Sequence, residues 1–458
     1  MNRKLSLKSL FLFLILGVLV ACGGSSSSSD GDGDGDNSND TYSDGNDNED
    51  NSSDDNDNGG NTSSNFDRAA MVENYANNII IPNYQAVVDG ANTWDDSSSI
   101  GGYCSAIGTA TESAALETVL NDWKGLMLLV THIDHHPIGP VTENNNTLLD
   151  RINHYNNHFL NPCLIDQSAY FHVYGGGSSA PAAPFGRGVG ALEYLLFNTD
   201  LTFPQCSSPA KDPFNALSGE LKKSIRCDYA EVILQDLITQ AQTIVDLWTT
   251  TGGGYKDTEF TQSVYEDAVL KALSDSLFYL EDITKDRKIA ASVGIHSDCT
   301  AEDISCPEFV ESPYTETSFT NVLNNLIAFK EFFNGGTASS GLGFDDLLEG
   351  EAGQNGIDIA NNINSSTDSA IAFVNTILDS SSNLGATYHD SLLDQANSLL
   401  SGSETGSCVN SYSNYETIRE YTACSLYGYL KEITDELRGP YLIAVGLDLP
   451  SSVQSDND

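Results

Sequence analysis

Val264-Tyr265-Glu266-Asp267-Ala268-Val269-Leu270-Lys271-Ala272-Leu273-Ser274-Asp275-Ser276-Leu277-Phe278-Tyr279-Leu280-Glu281-Asp282-Ile283 is the stretch that decides the fold class. Val264, Ala268, Leu270, Leu273, Leu277, Leu280 and Ile283 recur at three- and four-residue steps, which a helix gathers into one apolar stripe facing a core. The same periodicity predicts helices over Phe66–Val88, Ala110–His132, Asn144–Leu160, Ala216–Trp248, Thr258–Lys285, Phe319–Phe333, Ile357–Leu378, Leu384–Leu400 and Tyr415–Leu437. No sustained period-two pattern competes, so the expected class is all-α. The chain is 458 residues long, and the part beyond residue 64 exceeds what one hydrophobic core supports. The glycine run Gly252-Gly253-Gly254 predicts the break: two up-and-down helical bundles over 65–252 and 253–450, with 451–458 as a short disordered tail. Trp94, Trp123 and Trp248 sit on or beside the apolar stripes and read as core residues.

Toward the N-terminus the character changes. Arg3, Lys4 and Lys8 precede an apolar run from Leu10 to Ala21, too short to span a membrane comfortably and laid out as a signal peptide over 1–21. The run ends Leu19-Val20-Ala21-Cys22-Gly23, which is similar to a lipobox, so Cys22 is expected to be lipidated and to become the mature N-terminus. Acyl chains would anchor the protein, each buried methylene contributing about 0.8 kcal/mol. The Gly after Cys22 resembles an outer-membrane address, with the protein facing the periplasm or the cell surface. The 22–64 segment is almost wholly Ser, Gly, Asp and Asn, with Tyr42 its only large side chain, and is expected to be a disordered acidic tether reaching roughly 35 Å. Its Asp30–Asp36 Asp-Gly alternation lacks the closing Glu of a calcium loop and reads as solvated linker.

Setting Cys22 aside, eight of the nine cysteines remain: Cys104, Cys163, Cys206, Cys227, Cys299, Cys306, Cys408 and Cys424. An even number in an exported chain predicts four disulfides. Proximity in the sequence favours Cys206–Cys227, Cys299–Cys306 and Cys408–Cys424, leaving Cys104–Cys163 by elimination. No Cys-x-x-Cys occurs, which argues against a zinc ribbon or a redox pair. The 65 acidic against 20 basic residues, a formal charge of -45, argue against nucleic acid and against anionic membrane surfaces as partners of the folded part. The membrane is expected to be reached only through the lipid anchor.

Several segments, taken in order, resemble the imelysin family of exported bacterial proteins, which includes iron-regulated surface proteins and some first described as peptidases. Gly188-Val189-Gly190-Ala191-Leu192-Glu193-Tyr194-Leu195-Leu196-Phe197 is similar to the family's Gly-x-His-x-x-Glu followed by Tyr-Leu-Leu-Phe. Lys285-Asp286-Arg287-Lys288-Ile289-Ala290 is similar to its basic segment at a helix end. Glu311-Ser312-Pro313-Tyr314, with Ser318 and Asn324-Asn325-Leu326, is similar to its Glu-Ser-x-Phe/Tyr-Ser stretch. Gly343-Phe344-Asp345-Asp346-Leu347-Leu348 matches a late segment. The resemblance implies two all-helical domains with the motif near the cleft between them.

Where the family pattern has histidine, this chain has Gly190. A His and a Glu three residues apart on one helical face can share a metal, and without the imidazole Glu193 alone is a poor transition-metal ligand. Substitutes are available in Thr131-His132-Ile133-Asp134-His135-His136-Pro137, so His132, His135 and His136 with Glu193 are the candidate ligands of a divalent metal or iron. His154 and His158 share the spacing that zinc peptidases use, but Tyr155 stands where the glutamate base would be. There is no Gly-x-Ser-x-Gly elbow and no Walker loop. The expected protein is a surface-tethered ligand- or metal-binding lipoprotein linked to iron or metal uptake, without confident catalytic residues. A metallopeptidase using the substitute histidines and a structural or protein-interaction module are the two alternatives.

Overall fold

The computed structural model describes residues 66–454 apart from 143–147, 157–158, 178, 251–252, 300–304, 338–340, 380, 382–390, 401–407, 409–412 and 417–421. The segments expected to be a signal peptide and a tether, with Cys22, lie outside the described residues, as do 455–458 and His158. All regular structure among the described residues is helical, and none of these helices is long and apolar enough to cross a membrane. Residues Thr62–Asp458 form one compact unit.

The fold is two up-and-down helical bundles. In the first, Ile81–Ser97, Glu112–Ile133, Pro162–Tyr174 and Gly188–Phe197 pack directly or in chain around the long helix Gly219–Thr249. In the second, Ser318–Phe333, Gln354–Leu378 and Thr422–Glu436 pack with the wide turns of Leu280–Ala291. The first helical rod serves both. It begins at Arg68, where the Asp67 carboxylate caps the N–H of Ala70 at 2.9 Å, and passes through a π-helical turn, Tyr75–Ile80, just before Pro82. A proline ring clashes with the preceding turn and has no N–H to give, and the widened turn ahead of it accommodates both effects. Before Pro82 the rod lies against the second bundle: Arg68 binds Glu351, and Asn74 donates to the carbonyls of Gly335 and Leu342. After Pro82 it belongs to the first. Glu112–Ile133 also packs on Ser318–Phe333, so the bundles share a polar seam that holds the candidate site.

The helices expected over Ala110–His132, Ala216–Trp248, Phe319–Phe333 and Ile357–Leu378 are present as Glu112–Ile133, Gly219–Thr249, Ser318–Phe333 and Gln354–Leu378. Trp94, Trp123 and Trp248 are core residues. The Asn144–Leu160 helix is corrected: the described part of that segment is α-helical only at 148–150 and then gives way to turns, including a 3-10 turn at His154–Asn156. Its asparagines bind elsewhere, Asn153 and Asn156 both donating to Asp134, and side chains that satisfy other groups do not favour a helix interior. The Thr258–Lys285 helix is broken. It begins at Glu266, after Val264, which is 81% exposed and outside the stripe, and it loosens into π turns beyond Leu277.

Two of the four expected disulfides, Cys299–Cys306 and Cys408–Cys424, are formed. The other two pairings are exchanged. Cys104 joins Cys227 across 123 residues and Cys163 joins Cys206 across 43. Helix Ser99–Ala106 packs on Gly219–Thr249 and carries Cys104 to Cys227, so helix packing rather than distance along the chain selects the partner.

Candidate functional site

The motif helix Gly188–Phe197 is buried along nearly its whole length and is fixed at its first turn. Gly188 has φ +66°, and a Cβ there would stand 2.1 Å from the carbonyl oxygen of Ile152. Only glycine combines that conformation with so close an approach. The N–H of Val189 donates to the same carbonyl at 2.9 Å, and the indole N–H of Trp123 donates to the Val189 carbonyl at 3.0 Å. The motif helix is thereby seated on the turn that leads into Asn153-His154-Tyr155-Asn156.

That turn fills the space of the missing histidine. A Cβ built on Gly190 would lie 1.8 Å from Cε1, 2.5 Å from Nδ1 and 3.0 Å from Nε2 of His154. The imidazole that the motif lacks in its own helix therefore arrives from a neighbouring segment and occupies the volume beside Gly190. His154 is completely buried, and its ring packs on that of Tyr155 with centroids 4.1 Å apart.

Glu193, one turn further along, is also completely buried. Its Oε2 accepts from the hydroxyl of Tyr155 at 2.5 Å. Its Oε1 accepts from the backbone N–H groups of Tyr314 and Thr315 at 2.8 and 2.9 Å and from the Thr315 hydroxyl at 3.1 Å. Burial pushes the carboxyl up to about 7 although these donors pull the other way. Burial and the adjacent carboxylate hold the Tyr155 phenol far above its ordinary range.

The two backbone donors belong to the Glu311–Ser318 turn. Ser312 sits at φ +53°, its hydroxyl accepts from Asn321 Nδ2 at 2.9 Å, and the Ser318 hydroxyl donates to the Glu311 carbonyl. The Glu311 side chain is buried against Lys288, with Nζ to Oε1 at 3.0 Å; burial raises its carboxyl while the cation opposes the rise. Lys288 also donates to Asn325 Oδ1 at 2.9 Å and lies 3.5 Å from Asp134. Asp134 in turn accepts from Asn153 at 3.1 Å and from Asn156 at 3.1 Å. The 153–156 segment thus ties Asp134 on one side to Glu193 on the other. The resembling basic segment is not a solvated helix end: Lys285, Asp286 and Lys288 are all buried.

The substitute histidines go elsewhere. His132 Nδ1 is paired with the Leu128 carbonyl at 2.9 Å, and its Nε2 lies 3.6 Å from Glu331. His135 Nε2 is 3.1 Å from the Asn325 carbonyl, and His136 Nε2 is 2.9 Å from Asn83 Nδ2. Burial pushes both of the latter down, His136 to about 4. Among the described residues no three His, Cys, Asp or Glu side chains are grouped so as to hold a metal ion.

Sequence reasoning weighed His154 and Tyr155 only as parts of a zinc-peptidase spacing. The Gly190 departure itself was the available signal, because an unfilled volume on a buried helix must be filled from elsewhere. A cavity of about 340 Å³ opens on the other side of this wall, lined in part by Tyr155 and Tyr314. The arrangement can position a ligand against Tyr155 and Tyr314, whose hydroxyl and backbone N–H respectively hold the buried Glu193 carboxyl.

The sequence profile of the imelysin family matches residues 80–403. Among solved structures, an imelysin-like protein from Psychrobacter arcticum 273-4 is 14% identical, with a TM-score of 0.49 and coverage of 84% of this chain and 96% of that one. A protein described as an iron-regulated protein A precursor from Parabacteroides distasonis ATCC 8503 is 15% identical, with a TM-score of 0.48 and coverage of 81% and 95%. No curated protein matches the chain.

Proposed function

We propose, from the premise that the chain belongs to the imelysin family, that it is an exported, lipid-anchored ligand-binding protein serving iron or metal acquisition, with no peptidase chemistry. The observation that carries this reading is the state of Glu193. Four donors already engage its carboxylate, and none of His132, His135 and His136 is among them. A general base must reach the proton it removes, and a catalytic zinc needs three converging protein ligands. Among the described residues no three His, Cys, Asp or Glu side chains converge as such a zinc would require. The donor set likewise does not fit a resident transition metal, since His154 brings an imidazole but the Glu193 carboxylate is already held by four donors. The link to iron rests on the family's iron-regulated members, and the anchor rests on Cys22 with the segment before it.

The test uses the mature ectodomain with its disulfides formed. Peptide hydrolysis is measured with and without added zinc, and bound metal is measured by elemental analysis after exposure to iron, zinc, copper and calcium. No turnover and no stoichiometric retained metal are expected. Chelator-sensitive hydrolysis lost in His132→Ala or His136→Ala overturns the reading in favour of a metallopeptidase. Tight metal binding abolished by Glu193→Ala overturns the statement about the donor set. Cys22→Ser in the full-length chain is expected to release the protein from membranes or leave it unprocessed, and an unchanged membrane fraction with normal processing removes the anchor.

A further inference from the structure

The cavity beyond Tyr155 and Tyr314 has an unusual occupant for so acidic a protein. Arg287 lines it, half-buried, with its guanidinium 5.8 Å from the centroid of the Phe159 ring. Every other described arginine is hydrogen-bonded: Arg68 to Glu351, Arg151 to Gln240, Arg187 to Asp236, Arg226 to Asp166 and Arg438 to Glu281. Arg287 makes no hydrogen bond or ion pair with a described residue. In a chain with 65 acidic and 20 basic residues, a guanidinium at a cavity wall with no hydrogen-bond or ion-pair partner among the described residues is not what charge balance alone produces. Burial lowers it, while the charges of Asp298, Asp282 and Asp150 oppose the fall.

The rest of the lining is largely apolar. Phe159 and Phe309 meet edge to face with centroids 4.7 Å apart, and Leu160 and Val310 line the same cavity. Phe159 is 50% exposed. Tyr314 lines the same space, and its hydroxyl makes no hydrogen bond to a described residue. Glu308, also in the lining, is exposed and disfavours a second negative charge. About 340 Å³ is at the small end of ligand sites.

We propose that this cavity binds a small organic monocarboxylate with an aromatic or branched apolar body, its carboxylate held by the Arg287 fork and its body laid against Phe159 and Phe309. A guanidinium presents paired donors that match a carboxylate, and an apolar wall beside it strengthens the pair by excluding water. The proposal rests on the binding reading and narrows it to a ligand class. Tyr155 and Tyr314 join the two sites, since they line the cavity and also hold Glu193.

The experiment compares phenylacetate with its uncharged isostere phenylacetamide by calorimetry and by NMR titration of the metal-free ectodomain. Native protein is expected to bind phenylacetate saturably, at least about tenfold more tightly than phenylacetamide. Arg287→Gln is expected to abolish that preference at an unchanged unfolding midpoint, and Arg287→Lys to keep part of it, since the charge stays and the fork is lost. Phe309→Ala is expected to weaken both probes together. Equal affinity for the two probes, a preference that survives Arg287→Gln, or no saturable phenylacetate binding at millimolar concentration overturns the proposal. Failure here is distinguishable from failure of the binding reading. Peptide hydrolysis with intact phenylacetate selectivity sinks only the latter, and absence of both hydrolysis and phenylacetate binding sinks only the former.

Discussion

Replacing Gly190 by alanine reports directly on whether the His154 ring occupies the place of the missing motif histidine. Gly190 lies inside a helix and has no left-handed φ, so in isolation alanine is the better residue there by about 1 kcal/mol. Against this, the added Cβ would stand 1.8 Å from His154 Cε1, and the ring is completely buried with nowhere to swing freely. Overpacking of this kind costs about 1–3 kcal/mol, so Gly190→Ala is expected to be neutral to destabilising by up to about 2 kcal/mol. In a His154→Ala background the obstruction is gone, and the same substitution is expected to stabilise by about 1 kcal/mol. The sign of the effect therefore inverts, with a coupling of about 1–3 kcal/mol in the double-mutant cycle. Guanidinium unfolding of the four disulfide-intact proteins measures it, provided the slopes agree. Equal stabilisation by alanine in both backgrounds would refute the placement of the ring. The same geometry predicts that Gly190→His is poorly accommodated alone and tolerated in His154→Gly, because the second imidazole then has a vacated volume to enter.

The remaining predictions concern charge and covalent structure. Because burial raises Glu193 to about 7, the native state holds its proton more tightly than the unfolded chain, and its contribution to stability falls as pH rises from about 4.5 to 7 and is level above that. The stability of wild type relative to Glu193→Gln is expected to decline across this window by roughly 3 kcal/mol at most, measured by unfolding at several pH values; a flat difference shows an ordinary carboxyl. His135 and His136 titrate in the opposite sense, but they are common to both proteins and cancel in the comparison. Arg226→Met leaves Asp166 buried without its guanidinium and is expected to cost about 3–5 kcal/mol, much of it recovered when Asp166→Leu is added; no recovery means the pair is not the main cost. Non-reducing peptide mapping is expected to find Cys104 with Cys227 and Cys163 with Cys206, and removing the long-range bridge by Cys104→Ala with Cys227→Ala to cost about 2–5 kcal/mol in thermal or chemical unfolding.

The sequence alone determined whatever depends on local periodicity and composition. The apolar stripes of Glu112–Ile133 and Gly219–Thr249 declare helices because their spacing suits only one backbone repeat. The short bridges Cys299–Cys306 and Cys408–Cys424 were legible because separations of 7 and 16 residues keep the two ends close. The family was legible from segments in order, and Glu193 could be singled out from its motif. The partner of Cys104 was decided only by the tertiary structure, since helix packing brings together residues 123 apart. So was the break-up of the Asn144–Leu160 segment, whose asparagines bond to Asp134 instead of continuing a helix. The site follows the same division. Gly190 reads as a lost imidazole in one dimension, yet His154 stands in its volume in three, because a close-packed interior fills a gap with whatever side chain the fold brings to it.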